Sequence, residues 1–388
     1  MIRVTPFVIA FLLPATYMGL QANPTTLFPE AREILAQDTV GWDNKLPFDK
    51  DVIVGKLKNG FTYFIRKNVE PKSRVTLYLA NKVGSILESD DQVGLAHFLE
   101  HMNFNGLKHF PKNDLVDYLQ SAGVRFGSDL NAYTGFDQTV YQLPIPSDDP
   151  EVLKKGMQVM RDWAQDALLT DEEIDKERGI ILEELRGGRG AQQRMQDKYF
   201  PLMLNGSRYA SRLPIGTEEN IKNFKYETLR KFHQDWYRPD LQALIIVGDI
   251  DVDQMESEVK RLFADLKTPE NPIPRTEYTV DLLNKNQFMV VTDPENRYTI
   301  GQIYIKHPEE DVTTVKDYRA QLHQVLYTRM LNARLGELSQ QANPSFIQAG
   351  VNIGEFIGGL SSMTAYFVAK PNEFEVGFKA LVRELERV

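Results

Sequence analysis

Two histidines and a glutamate lie close together at residues 97–101, in the order His97-Phe98-Leu99-Glu100-His101. If this segment is helical, positions i, i+3 and i+4 share one face, so both imidazoles and the carboxylate point the same way. Two imidazoles on one helix are typical zinc ligands, and a catalytic zinc has three protein ligands and one position open for water. Glu100 could accept a proton from that water. The segment therefore predicts a catalytic zinc site, and the order H-x-x-E-H is the inverted form of the commoner zinc motif.

A third ligand has to come from another segment, and an acidic helical pattern downstream offers two candidates. Thr170 is a favourable N-cap for a helix that begins at residue 171. On that helix Glu177 and Glu184 are seven positions apart and so share one face, whereas Glu183 points elsewhere. Spacing alone leaves open whether Glu177 or Glu184 is the ligand.

Two motifs together resemble a known family. The stretch GLAHFLEHMNFNG at 94–106 and the stretch ERGIILEELR at 177–186 are similar to those of the insulinase or pitrilysin family of zinc metallopeptidases. The resemblance implies one Zn²⁺ per chain, held by His97, His101 and Glu184. It also implies that Glu100 is the general base and that Glu177 supports the site as part of the catalytic set.

A second resemblance lies in residues 130–141. The sequence Leu-Asn-Ala-Tyr-Thr, with Asp137 and the Thr-Val-Tyr that begins at Thr139, is similar to the edge strand beside the zinc in this family. A peptide that adds to a sheet edge is bound through main-chain hydrogen bonds, so many sequences are accepted. Asn131 and Ala132 are therefore predicted to contact the substrate.

The remaining patterns predict an α+β fold with two homologous modules. Strands and helices alternate without the βαβ rhythm of a doubly wound sheet. In the first module a hairpin is predicted over 52–67 around Asn59-Gly60, followed by a strand at 74–80. A buried strand is predicted at 243–249, after the sequence Trp-Tyr-Arg-Pro. Helices are predicted over residues 94–105, 113–122, 150–168, 171–198 and 252–266.

The proline-rich stretch 267–275 is the best linker between the modules. The second module is predicted to open with strands at 287–292 and 301–306 and a helix over 315–338, and it has no H-x-x-E-H motif. The predicted organisation is a signal peptide (1–22), an N-terminal extension (23–45), a zinc-bearing peptidase domain (46–266), a linker (267–285) and a non-catalytic homologous domain (286–388).

The helical pattern over 372–388 runs to the last residue, so the second module is predicted to be incomplete. The resemblance implies a further half of the same polypeptide, or a partner chain, that supplies additional substrate contacts. The alternative function is that of a peptide-binding or processing subunit that needs its missing half or a partner chain to cleave peptides. A purely structural zinc protein is a third hypothesis, weakened because a structural site is usually closed by four ligands and does not need Glu100.

The amino terminus predicts export. A short positive start at Arg3 precedes an apolar stretch at 7–13 and small or polar residues near Ala22, as in a secretory signal peptide. An uncleaved membrane anchor is the competing interpretation, and the short apolar span disfavours it. We expect a periplasmic or secreted protein, from a Gram-negative bacterium, with no stable membrane span after signal removal.

Composition limits the partners. A net charge of −9 argues against a nucleic-acid partner, because no basic stripe interrupts the acidic balance. The chain has no cysteine, which excludes disulfides, thiolate ligands and a cysteine nucleophile. The expected substrate is a peptide. The four histidines outside the motif have no ligand-like neighbours in sequence and are predicted to be incidental: His109, His233, His307 and His323.

Overall fold

The computed structural model describes residues 41–112, 114–121, 123 and 131–387 of the 388-residue chain. The predicted signal peptide at 1–22 and most of the predicted extension at 23–45 lie outside these residues. In the part of the chain that the structure describes, no helix combines the length and apolarity that crossing a membrane requires.

The first module contains a six-stranded sheet. The strand order is β1-β2-β6-β3-β5-β4. Strand β6, which is the last of these six in sequence, therefore lies between β2 and β3. It pairs parallel to β2 and antiparallel to β3, and the other pairs are antiparallel. The predicted hairpin is confirmed as β1 and β2, and the strand predicted at 243–249 is the central β6. The strands are β1 (Val52–Lys56), β2 (Thr62–Lys67), β3 (Arg74–Asn81), β4 (Asn131–Thr134), β5 (Thr139–Pro146) and β6 (Gln242–Gly248).

The predicted helices are present in order, but one of them is divided and two further helices, Glu218–Asn223 and Tyr226–Trp236, were not among those predicted. The helix predicted over 171–198 is two helices, which are separated at Arg189 and Gly190. Glycine costs up to ~1 kcal/mol in a helix, and the Gly-Gly-Arg-Gly run that begins at Gly187 concentrates this cost at one point. The helices of this module are α1 (Leu95–Met102), α2 (Asp114–Ser121), α3 (Pro150–Gln165), α4 (Asp171–Gly188), α5 (Ala191–Met203), α6 (Glu218–Asn223), α7 (Tyr226–Trp236) and α8 (Val252–Phe263).

The second module has a three-stranded antiparallel sheet in the order β7-β9-β8. The strand predicted at 301–306 is confirmed as β7, but the strand predicted at 287–292 is wrong, because those residues are irregular. Phe288 is 87% exposed there, and an apolar alternation becomes a strand only where another strand pairs with it. The elements are β7 (Ile300–Pro308), α9 (Val315–Ser339), β8 (Gln348–Glu355), β9 (Leu360–Val368) and α10 (Phe374–Arg387).

Two hydrophobic cores stabilise these modules. The larger core buries one face of the six-stranded sheet against helices, and its largest side chains include Trp163, Tyr141 and Phe98. The smaller core joins α9 and α10 to the three-stranded sheet through Leu331, Phe367 and other apolar residues. The predicted α+β class is confirmed, and the zinc motif lies on a helix of the larger core.

A separate small unit contains residues 41–46 and 312–320. Leu46 N donates to Thr313 O at 2.9 Å, and Lys316 N donates to Trp42 O at 2.9 Å. The Arg319 guanidinium lies 4.7 Å from the centroid of the Trp42 ring. Backbone pairing and one cation–π contact therefore hold this unit together.

Candidate metal centre and active site

Helix α1 carries the motif and is anchored by its apolar side. Phe98 and Leu99 are fully buried in the larger core, and Glu100 is 8% exposed. The two histidine rings lie close together on the face that also bears Glu100, with centroids 4.6 Å apart. The same core packing that fixes the helix therefore turns both imidazoles toward one spot.

Close contacts and hydrogen bonds fix the backbone conformation at the start of α1. Gly94 caps the helix at φ 95°, in the left-handed region that favours glycine. A Cβ added to Gly94 would lie 2.8 Å from the Cα of Gly216. Glu88 accepts hydrogen bonds from Gly94 N at 2.9 Å and Ala96 N at 2.8 Å. Burial raises the pKa of Glu88 to about 8, against the opposing effect of these two N–H groups.

Helix α4 places Glu184 opposite the two histidines. Glu184 Oε2 lies 3.9 Å from His97 Nε2 and 3.6 Å from His101 Nε2. One ligand atom from each of these three residues lies within 4.8 Å of the others. Zinc bonds to nitrogen and oxygen are about 2.0–2.2 Å long, which separates tetrahedral ligand atoms by about 3.4 Å. The described residues therefore present a three-ligand set that fits a zinc ion after small side-chain movements.

Glu177, the other candidate ligand, lies behind the site. Its Oε1 is 2.7 Å from His101 Nδ1, on the far side of the ring from Glu184. Its other oxygen accepts from Asn105, which follows the motif by four residues. Burial alone would lower the pKa of His101, but the hydrogen bond and charge of Glu177, together with Glu100 and Glu184, raise it. Glu177 orients the His101 ring, and Glu184 faces the nitrogen that is free for a metal.

The His97 side chain is more deeply buried than that of His101, and this burial favours the neutral imidazole. Burial, together with the nearby positive charge of His101, lowers the pKa of His97 to about 3. Its Nδ1 is buried and makes no hydrogen bond within the described residues. A neutral imidazole is the form that binds a metal, so His97 is in the state that this role requires.

The Glu100 carboxylate accepts a hydrogen bond from an edge strand of the sheet. Thr134 Oγ1, on β4, donates to Glu100 Oε2 at 2.6 Å. Burial raises the pKa of Glu100, with the Thr134 hydrogen bond acting in the opposite direction. Thr134 contacts a residue 34 positions away, and the motif spacing carried no signal for this contact, although Thr134 lies within the stretch that resembles the family's edge strand.

Strand β4 is an edge strand of the six-stranded sheet, as predicted. It pairs with β5 on one side, with Asn131 opposite Gln142 and Ala132 opposite Tyr141. Asn131 is exposed and Ala132 is half-buried against the core. Because Thr134 on the same strand contacts Glu100, the free edge of β4 runs beside the candidate site.

The other histidines lie in different surroundings. His109 Nδ1 is 2.8 Å from Asp162 Oδ1, and His307 Nδ1 is 3.0 Å from Pro308 O. His233 is buried beside the Tyr237 ring. Among the described residues, the group that could hold a metal is formed by His97, His101 and Glu184.

Comparisons with known proteins agree with the motifs. Residues 63–205 match the family described as insulinase (peptidase family M16), and residues 223–337 match the peptidase M16 inactive domain. The crystal structure of the first half of the periplasmic protease PqqL from Escherichia coli superposes with a TM-score of 0.79 at 31% identity, covering 88% of this chain and 73% of that one. The chain belongs to the insulinase family of peptidases. The predicted family is therefore confirmed.

Several curated relatives are described as zinc proteases, two of them as follows. A zinc protease PQQL-like protein of Arabidopsis thaliana is 37% identical over 306 residues, which is 79% of this chain and 32% of the relative. A probable zinc protease PqqL of Haemophilus influenzae is also 37% identical over 306 residues, with 77% and 32% covered. The chain thus spans about a third of the length of the curated relatives it matches.

Proposed function

We propose that this chain is the zinc-bearing part of a zinc-dependent endopeptidase that hydrolyses peptides or unfolded protein segments. The observation that carries the proposal is the convergence of His97, His101 and Glu184 within 4.8 Å, with Glu100 on the same helix as the two histidines. Family membership supports zinc as the metal. We assign one zinc to each chain, with these three residues as its ligands.

The residues around the site have separate roles in peptide hydrolysis. A bound zinc would supply a Lewis acid that polarises the scissile carbonyl and lowers the pKa of the attacking water. Glu100 takes the proton of that water and passes it to the leaving amine. The Thr134 hydrogen bond fixes the direction of the Glu100 carboxylate, and Glu177 keeps His101 oriented. Burial of Glu100 raises its pKa, which suits a group that both accepts and donates a proton.

The substrate backbone is proposed to add to the free edge of β4. Asn131 and Ala132 lie on this four-residue strand, and Thr134 connects the strand to the catalytic carboxylate. Main-chain pairing selects for an extended conformation and accepts many side chains. This favours unfolded segments over folded domains as substrates.

We also propose that the protein is exported to the periplasm. The Escherichia coli protein that this chain resembles is described as periplasmic. The charged start and apolar stretch within residues 1–22 support a signal peptide. We propose a periplasmic or secreted location and a Gram-negative bacterial source.

The test combines zinc content with hydrolysis of an unstructured, fluorogenic peptide. We expect Glu100→Gln to retain zinc and to lose hydrolysis by 100-fold or more, because the proton acceptor is removed while the ligands remain. His97→Ala should lose the zinc. If His97→Ala leaves the zinc stoichiometry unchanged, the ligand assignment is wrong.

The alternative function is separated by the same assay with the longer polypeptide. The chain spans about a third of its curated relatives, and the remainder can contribute substrate contacts. A chain that binds zinc and peptide but hydrolyses only when the remaining polypeptide is present would favour the peptide-binding subunit. Hydrolysis by this chain alone, lost in Glu100→Gln, would favour the endopeptidase.

A further inference from the structure

We propose that residues 216–226 set the distance between the two ligand-bearing helices, and that Arg178 is the positioning residue through which they act on Glu184. This inference rests on the zinc site proposed above. It concerns a segment that the family matches only partly cover, since residues 206–222 lie outside both of them.

Residues 216–226 contact the start and the buried face of α1. Asn220 Nδ2 donates to Val93 O at 2.7 Å, directly before the helix cap. The Cα of Gly216 approaches Gly94 so closely that neither glycine has room for a Cβ. The ring of Phe224 packs edge-on against Phe98, with centroids 4.8 Å apart. The segment therefore holds α1 at its beginning and between its two histidines.

The same residues hold α4 through Arg178. Arg178 Nη1 donates to Ile221 O at 2.6 Å, and Nη2 donates to Phe224 O at 2.8 Å. These carbonyls lie at the end of α6, where acceptors are left without partners inside the helix. The Arg178 guanidinium also lies 3.8 Å from the centroid of the Phe224 ring. One phenylalanine therefore contacts Phe98 of α1 and Arg178 of α4.

Two directional contacts fix the rotation of α4 that places Glu184. The hydrogen bond between His101 and Glu177 joins α1 and α4 at one point, and Ile174 and Ile181 pack α4 into the larger core through apolar contacts, which are not directional. Arg178, the next residue, faces a different direction and supplies the second directional contact. Glu184 lies six residues further on, about 9 Å along the helix axis. A small rotation at Arg178 would therefore move the Glu184 carboxylate by an ångström or more, which is enough to remove it from ligand distance.

The first experiment measures the zinc dissociation constant by competition with a chromogenic chelator. We expect Arg178→Gln to weaken zinc binding about tenfold, within the range for residues that orient ligands. The matched control is Arg186→Gln on the same helix, because Arg186 is 73% exposed and pairs with Glu183 rather than with residues 216–226. Circular dichroism and thermal unfolding of the zinc-free proteins report whether each variant is folded.

The second experiment separates positioning from general destabilisation. In a Glu184→Gln background the third ligand is already lost, so Arg178→Gln should no longer change zinc affinity. Arg178→Lys keeps the charge but cannot reach both carbonyls, and we expect an intermediate loss; this variant replaces Arg178→Gln if the latter does not fold.

Two results would overturn the inference. One is unchanged zinc affinity in folded Arg178→Gln or Arg178→Lys, and the other is an equal loss in the wild-type and Glu184→Gln backgrounds. Either result, with zinc still lost in His97→Ala, contradicts positioning by Arg178 and leaves the proposed zinc site standing. Zinc retained in His97→Ala contradicts the site itself.

Discussion

His101 is contacted at both nitrogens of its ring, by Glu177 at Nδ1 and by Glu184 near Nε2. A carboxylate oxygen only accepts, so Nδ1 carries the proton and donates to Glu177. The lone pair is then on Nε2, which faces Glu184 and His97. A single buried carboxylate thereby selects the tautomer that a metal ligand needs.

His233 gives a prediction about pH and stability. Burial lowers the pKa of His233 to about 4, whereas the ordinary value is 6.5. The folded chain therefore binds fewer protons than the unfolded chain between these values. The stability that neutral His233 contributes is present above pH 6.5 and is lost as the pH falls through 4. Over this window one proton corresponds to a slope of up to ~1.4 kcal/mol per pH unit in the free energy of unfolding.

The measurement is urea unfolding at several pH values. His233→Phe keeps an aromatic ring beside Tyr237 and cannot titrate, so its unfolding free energy should fall less steeply below pH 6.5 than that of the wild type. His323→Gln is the control, because His323 is exposed on α9. Parallel pH profiles for wild type and His233→Phe would contradict the prediction.

At the scale of elements, the start of α1 is the most constrained point of the site. Gly94 has φ 95°, and a Cβ there would lie 2.8 Å from Gly216 Cα and 3.0 Å from Ile221 Cδ1. Gly94→Ala therefore combines backbone strain with a steric clash, and we expect a destabilisation of ~1–3 kcal/mol. Zinc affinity should fall as well, because the clash displaces the helix that bears both histidines.

Gly179 offers a matched control within α4. It is exposed and helical, and nothing lies within 4 Å of the position of an added Cβ. Gly179→Ala should be stabilising by ~0.5–1 kcal/mol, because alanine loses less conformational freedom on folding. Thermal unfolding of both variants measures the difference, and equal effects of the two substitutions would refute the steric argument.

Elements with strong local signals could be predicted from the sequence. The hairpin around Asn59-Gly60 and the helix that bears His97 depend on neighbouring residues alone. The strand expected at 287–292 was wrong because a strand depends on a partner that no local pattern reveals. The helix expected over 171–198 was interrupted because several glycines outweigh an otherwise helical pattern.

Residue spacing within single segments predicted only part of the site. Glu177 and Glu184 share a helix face, so their difference depends on how α4 packs against α1, which is a property of tertiary structure. Thr134 and Arg178 contact residues 34 to 46 positions away. No pattern within a single segment identifies such contacts.

At the scale of the whole molecule, the three-stranded sheet of the second module repeats the topology of three strands of the six-stranded sheet. The order β7-β9-β8 repeats β3-β5-β4, with antiparallel pairs in both. Helices also recur in order, since α9 lies between β7 and β8 as α1 and α2 lie between β3 and β4. Helix α9 contains a single histidine, His323. Within the residues that the structure describes, the repeated architecture therefore carries a ligand set on one copy, and the domain boundaries proposed from sequence remain a prediction.

Zinc should stabilise one of the two cores selectively. The three ligands join α1 and α4, which both pack in the larger core. A ligand at 100 times its dissociation constant stabilises the folded state by ~2.7 kcal/mol, which for a module of this size raises Tm by about 5 °C. We expect calorimetry with and without zinc to show this shift in one transition of the wild type. The shift should be absent in His97→Ala, and an identical shift in that variant would contradict the prediction.

Glu184 is 47% exposed at its side chain, whereas His97 and His101 are mostly covered. One corner of the ligand set is therefore open to water in this chain. A chelator can approach from that side and compete for the metal without any unfolding of the core. Metal exchange should consequently be fast and reversible, so that zinc can be withdrawn and another divalent ion introduced into the same intact fold.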